Sequence, residues 1–173
     1  MHIILIGLRG SGKSTVGEKL ADELWRDFVD LDLAALEKFA EPTITEIFDK
    51  HGEAAWREAE VEALRETLAR DSLVLSLGGG TAMIPAARDL LEERQRGHGD
   101  RVIYLRARAE TLQQRLAHDM GDRPSLTGMG TVAEVGAVLA ERDPVYRDLA
   151  DQTIEVDEID LSAILGHIFR VVG

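Results

Sequence analysis

A chain of 173 residues is long enough for one domain with a substantial core, and its lack of cysteine excludes disulfides, thiolate metal sites and cysteine nucleophiles. A net charge of -12 repels phosphate backbones and anionic membranes, so neither nucleic acid nor a lipid surface is an expected partner. Any anionic ligand must be captured by a local basic cluster. The apolar run Met1 to Ile6 meets a glycine without a basic leader, which fits neither a signal peptide nor a membrane span, and the cytoplasm is the expected compartment.

In chain order, short apolar runs alternate with longer amphipathic stretches, the pattern of parallel strands joined by helices. Strands are expected at His2 to Ile6, Asp27 to Leu31, Leu73 to Ser76, Arg101 to Leu105 and Gln152 to Val156. Helical spacing runs through Lys13 to Trp25, Glu53 to Ala69, Pro85 to Arg94, Ala109 to His118, Val132 to Arg142 and Leu161 to Val171. With no repeat and no long linker, residues 1–173 read as a single domain. Gly121 to Gly130 holds three glycines and Pro124 between two helical segments, a composition suited to a mobile lid.

The strongest motif comes first. Gly7-Leu8-Arg9-Gly10-Ser11-Gly12-Lys13-Ser14 follows an apolar strand and opens a helix, so backbone N–H groups and a helix N-terminus converge on one anion site. In such a P-loop, Gly10, Ser11 and Gly12 bring the backbone close and Lys13 neutralises the β- and γ-phosphates of ATP. The Ser14 hydroxyl ligates Mg²⁺, and Thr15 holds the α-phosphate side. A glycine turn that merely caps a helix is the competing reading. The chain has no asparagine, and so no Asn-Lys-x-Asp guanine motif, which disfavours a GTPase.

Five shorter motifs follow in order: Asp30-Leu31-Asp32; Gly52-Glu53 with Trp56-Arg57 and Glu60; Gly78-Gly79-Gly80; Arg123-Pro124-Ser125-Leu126; and Arg142-Asp143-Pro144-Val145-Tyr146. Asp30 and Asp32, two apart at a strand end, are expected to share a face toward the ligand crevice; a pair of solvated loop aspartates is the alternative. Arg57 and Glu60 are neighbours on one helix, so the glutamate can fix a guanidinium for a bidentate carboxylate contact, unless the two form an ordinary surface ion pair. Three glycines at 78–80 exceed what a strand-to-helix turn needs and argue for close approach of a ligand. Phe48 and Trp56 either wall that ligand or pack in the core.

The ordered set resembles the shikimate kinase family over essentially the whole chain. The resemblance implies a three-layer α/β P-loop kinase fold with a five-stranded parallel sheet in order 2-3-1-4-5, a lid near 121–130 and an acceptor-binding helical region near 33–61. It implies transfer of the γ-phosphate of ATP to the 3-hydroxyl of shikimate, with Mg²⁺ as cofactor and ATP and shikimate as small-molecule partners of a monomer. By the same resemblance Asp32 binds the acceptor hydroxyls and takes the proton, Asp30 orders water around Mg²⁺, and Ser76 makes a second such contact. Arg57 and Arg142 hold the acceptor carboxylate beside Gly78, Gly79 and Gly80. Arg123 closes over the phosphates and Arg115 stacks on adenine.

The chain departs from the family pattern at Leu31, at Glu41 to Ile44, in the glycine-rich Thr127 to Thr131, and at Val156-Asp157-Glu158-Ile159, which offers no basic side chain to the base. Paired arginines with paired aspartates suit a hydroxylated carboxylate better than a nucleobase. That disfavours a nucleoside monophosphate as acceptor but leaves gluconate, or another small sugar acid, as an alternative. A nucleotide-binding regulatory module without turnover is the reading from another class.

Overall fold

The first strand sets the architecture. In β1 (Ile3–Ile6) every residue is a buried aliphatic, with Ile3 and Leu5 entering one core and Ile4 and Ile6 the other. Alternation of period two with both faces apolar marks a central strand of a parallel sheet covered on both sides. The computed structural model describes residues 1–118 and 132–173, so the expected lid and Arg123 lie outside the described residues.

β1 pairs in parallel with β3 (Val74–Ser76) on one side and β4 (Arg101–Arg106) on the other, and β2 (Phe28–Asp30) and β5 (Gln152–Glu155) complete the order β2-β3-β1-β4-β5. This is the expected sheet, with each strand end within one residue of its expected place. Helices α1 (Lys13–Leu24), α5 (Ala109–His118) and α7 (Leu161–Val172) cover one face; α3 (Ile44–Leu68) and α4 (Pro85–His98) cover the other. Gly17 of α1 sits where a Cβ would run into the Phe28 ring, so the glycine lets α1 lie close on β2. Among the described residues no helix is long and apolar enough to cross a membrane.

α4 runs to His98, four residues past the expected Arg94, and ends at Gly99 in the left-handed region; three other helices differ in where they begin or in how far they run. α2 (Leu31–Leu36) begins within the expected second strand, because the Asp30 carboxylate accepts a hydrogen bond from the Asp32 N–H at 3.0 Å and caps a helix start there. α3 begins at Ile44, well before Glu53. Thr43 caps it, its Oγ1 accepting from the Glu46 N–H at 3.2 Å, and the chain kinks at Gly52, where φ is 81°. Thr43 and Glu46 were a legible helix start, but Gly52 broke the pattern that led into it.

α6 (Val135–Leu149) starts later than Val132 and continues past Arg142 through Pro144. Proline inside a helix removes one backbone bond, a local cost that packing here overrides. The first half of α6 packs Val135, Val138 and Leu139 into one core, and the second half packs Tyr146 and Leu149 into the other. The helix thus wraps the end of the sheet, and tertiary contacts on both sides of Pro144 keep it continuous.

Candidate active site

The P-loop is bent by its glycines. Gly7, Gly10 and Gly12 have φ of 145°, 83° and 92°, conformations that side chains with a Cβ rarely adopt. At Gly7 a Cβ would also collide with the Leu105 carbonyl of β4. Lys13 is 9% exposed, and its ammonium donates to the carbonyls of Gly7 and Leu8 at 2.9 and 3.1 Å, so it is folded back along the loop. The buried Ser11 hydroxyl has no hydrogen-bond partner among the described residues. An orphaned hydroxyl beside a helix N-terminus fits an anion that would complete it.

A cavity of about 660 Å³ runs along the carboxyl ends of the strands, with Arg9 to Val16 on one wall and Val156, Ile159, Leu161 and Ile164 at the far end. Asp30, Asp32, Ser76, Gly79 and Arg115 also line it. Open parallel sheets bind ligands at this edge. Ser14 Oγ donates to Asp30 Oδ2 at 3.1 Å, which brings two hard oxygen donors together next to the loop. Among the described residues no cluster of three or more His, Cys, Asp or Glu side chains could hold a metal by itself. A Mg²⁺ fits that arrangement, since it is commonly held by one or two protein oxygens with phosphates and water completing its shell.

Asp30 and Asp32 do converge on the cavity, but not as neighbours on one strand face. Asp30 ends β2 and caps α2, whereas Asp32 lies in the first helical turn and is 7% exposed. A Cβ on Gly78 would collide with Asp32 Oδ1, so glycine there makes room for the carboxylate. The glycine run serves three neighbours in turn: Gly78 faces Asp32, Gly79 faces Arg142 and the Arg9 backbone, and a Cβ on Gly80 would strike the Arg57 guanidinium.

Arg57 is held on two sides. Its Nη1 donates to Glu60 Oε2 at 2.7 Å, while Nε and Nη2 donate to Glu53 Oε1 at 3.1 and 2.7 Å. Glu60 is fully buried, and its other oxygen accepts from the Thr81 hydroxyl at 2.5 Å. Burial draws the Arg57 pKa down, but attraction and hydrogen bonds from Glu60 and Glu53 outweigh it and raise the pKa. This is no ordinary surface pair: one carboxylate is buried and locked, the other half exposed.

Arg142 reaches the same loop from α6, its Nη1 donating to the Gly79 carbonyl at 2.8 Å. The Tyr146 hydroxyl donates to that carbonyl too, in a short contact. Residues 142 and 146 lie one helical turn apart on one face of α6. Sequence reasoning named Tyr146 within a motif but gave it no role, although the i, i+4 spacing held the signal; ending the helix at Arg142 concealed it.

Arg115 spans the other end, donating to the Gly10 carbonyl at 3.1 Å and to the Val156 carbonyl at 3.4 Å. It is thus placed between the P-loop and the segment after β5, whose Asp157 and Glu158 are paired with Arg108. Trp56 does not wall the cavity. It is 3% exposed and stacks on Phe39 with ring centroids 6.2 Å apart, inside the core. Phe48, partly buried, packs against that core as well.

Comparison with known proteins identifies the family and the fold. A family model described as shikimate kinase matches residues 9–172. A shikimate kinase of Halorhodospira halophila is 42% identical over 89% of this chain and 83% of its own length. One from Stenotrophomonas maltophilia is 38% identical over 96% of this chain and 89% of its own. The solved shikimate kinase from Acinetobacter baumannii in complex with shikimate superposes with a TM-score of 0.88 at 34% identity, covering 99% of this chain and 92% of that one. With a family model over residues 9–172 and relatives 42% and 38% identical over most of its length, the chain belongs to the shikimate kinase family.

Proposed function

We propose that this protein transfers the γ-phosphate of ATP to the 3-hydroxyl of shikimate, giving ADP and shikimate 3-phosphate on the route to chorismate and the aromatic amino acids. One observation carries the acceptor end of this reading: Arg57 and Arg142 come from different helices to adjacent glycines, next to the buried Asp32. Two guanidinium groups beside a carboxylate form a site for a ligand that is an acid at one end and a polyol at the other. Gluconate, the alternative acceptor, is not favoured for a chain of this family.

In this reading the P-loop backbone, the Ser11 hydroxyl and Lys13 bind the phosphates, Thr15 supports the α-phosphate side, and Arg115 lies against the adenine. Lys13 would exchange its loop carbonyls for phosphate oxygens. Ser14, with Asp30 and Ser76 ordering water, would hold Mg²⁺, whose chemistry is to neutralise charge on the β- and γ-phosphates. Asp32 accepts the proton of the 3-hydroxyl as that oxygen attacks the γ-phosphorus, and the bond to the β–γ bridging oxygen breaks to release ADP. The acceptor carboxylate takes the place of Glu53 on Arg57, leaving Glu60 to hold the guanidinium in orientation. The protein acts in this reading as a monomeric single domain with ATP and shikimate as its small-molecule partners.

The test is ADP release, coupled to a reporter, with shikimate, gluconate or no acceptor, followed by phosphorus NMR of the product. Turnover with shikimate and a phosphate on its 3-oxygen is the expected result. Faster turnover with gluconate, or ADP release independent of any acceptor, would overturn the reading.

A further inference from the structure

The carbonyl of Gly79 is an unusual convergence point. It accepts from both Arg142 Nη1 and the Tyr146 hydroxyl, two donors from one face of α6. Tyr146 is completely buried, and burial pushes its hydroxyl up to about 12, so it stays protonated and donates throughout the physiological range. The peptide joining Gly79 and Gly80 is trans, so fixing the Gly79 carbonyl toward α6 points the Gly80 N–H away from that helix.

The neighbouring stripe of α6 is anchored as firmly. Asp143 Oδ1 accepts from the Tyr104 hydroxyl at 2.8 Å and from Arg106 Nε at 2.7 Å, and its Oδ2 accepts from Arg147 Nε at 2.7 Å. Arg106 in turn grips both oxygens of Glu155 on β5, at 3.1 and 2.9 Å. The rings of Tyr104 and Tyr146 lie 4.9 Å apart at 43°, which couples the two stripes through packing. Arg142 therefore projects from a helix whose rotation is set by β4 and β5, across the proline that weakens its own backbone.

We infer that Tyr146, backed by Tyr104 and Asp143, is a positioning residue for the acceptor: it orients the Gly79–Gly80 peptide and sets the Arg142 guanidinium before the acceptor arrives. The inference rests on the acceptor reading given above. It assigns Tyr146 no contact with the reacting atoms. Its hydroxyl acts through the glycine carbonyl it shares with Arg142, and the nucleotide end of the cavity is independent of it.

The experiment is steady-state kinetics on the full chain for both substrates, with nucleotide affinity by calorimetry and melting temperature alongside. Tyr146→Phe removes the shared hydrogen bond and keeps the ring. It should lower kcat/KM for shikimate by about three- to tenfold, the range of one buried hydrogen bond, and leave ATP affinity within about twofold. Tyr104→Phe should act in the same direction with a smaller effect, and it decides the matter by the same split if Tyr146→Phe does not fold. Combined with Arg142→Lys, Tyr146→Phe should cost less than the product of the two separate losses, because both act on one carbonyl. Unchanged shikimate kinetics, or equal losses for shikimate and ATP that track the melting temperature, would overturn the inference. Lack of shikimate turnover by the unmodified protein would instead sink the acceptor reading and this inference with it.

Discussion

The two ends of the active-site cleft are built on different principles. The phosphate end is one contiguous stretch, residues 7–15, in which backbone conformation makes the site and the glycine dihedrals carry the geometry. The acceptor end draws on α2, α3, the glycine run after β3, and α6, and is held by side-chain contacts such as Glu60 to Thr81 and Arg142 to Gly79. A backbone site depends on the shape of its loop, so its glycine positions at positive φ tolerate little change. A site of side chains assembled from distant elements can be altered by one substitution in any of them, and can change ligand without disturbing its neighbour.

Lys13→Ala should produce the largest effect, because it removes the buried ammonium that lies along the backbone-built loop. Turnover should fall by at least about a thousandfold while the protein folds normally, as judged by circular dichroism and melting temperature. Near-normal turnover in the folded variant would break the assignment of the phosphate end.

Arg57→Ala and Arg142→Ala address the other end. Each should weaken shikimate binding by about 2–5 kcal/mol with much less change in ATP affinity, measured by calorimetry with each ligand alone. For Arg57→Ala part of the loss arises because Glu60 is left buried without its guanidinium. Losses that appeared in ATP affinity instead would mean that the two ends are not separable.

Gly80→Ala sharpens the contrast by a steric route. The added methyl would strike the Arg57 guanidinium, and the arginine must move away from Glu60 or the loop must shift, at a cost of about 1–3 kcal/mol. Shikimate KM should rise while ATP KM holds, and full retention of shikimate affinity would show that the Arg57 orientation is unimportant.

The smallest effect should come from the opposite end of the sheet, where buried His2 precedes the central strand away from the cleft. His2 is 1% exposed, its Nδ1 accepting from the Leu73 N–H at 3.2 Å, so the ring must be neutral to keep that bond. Burial lowers its pKa, against the pull of Asp100, to a value below the ordinary 6.5. Between that lowered value and 6.5 the unfolded chain binds more protons than the folded one, so the His2 contribution is complete above 6.5 and is lost as pH falls through this window. The melting temperature should fall more steeply with acidification below pH 6.5 in the unmodified protein than in His2→Gln, whereas kinetics at saturating substrate should differ little. Equal slopes would remove His2 from the account.

Much of this protein was legible in its sequence. The alternating apolar runs marked the five parallel strands where they are found, because period is a local property, whereas the expected roles of the site residues came from the resemblance carried by the ordered short motifs. The helix start at Asp32 rests on a local cap by Asp30 that the strand pattern hid, and tertiary structure alone decided that β2 leaves the sheet there. It also decided that Trp56 is core, and that α6 runs through Pro144. A proline breaks a helix by local energetics, but the contacts of Asp143, Tyr146 and Arg147 with partners 37 to 67 residues away along the chain, or one turn along the same helix, outweigh that local term. Convergence of Arg142 and Tyr146 on one glycine carbonyl is of the same kind: no local pattern encodes a distance between residues so far apart in the chain, and only the closed sheet with α6 wrapped over its end brings them together.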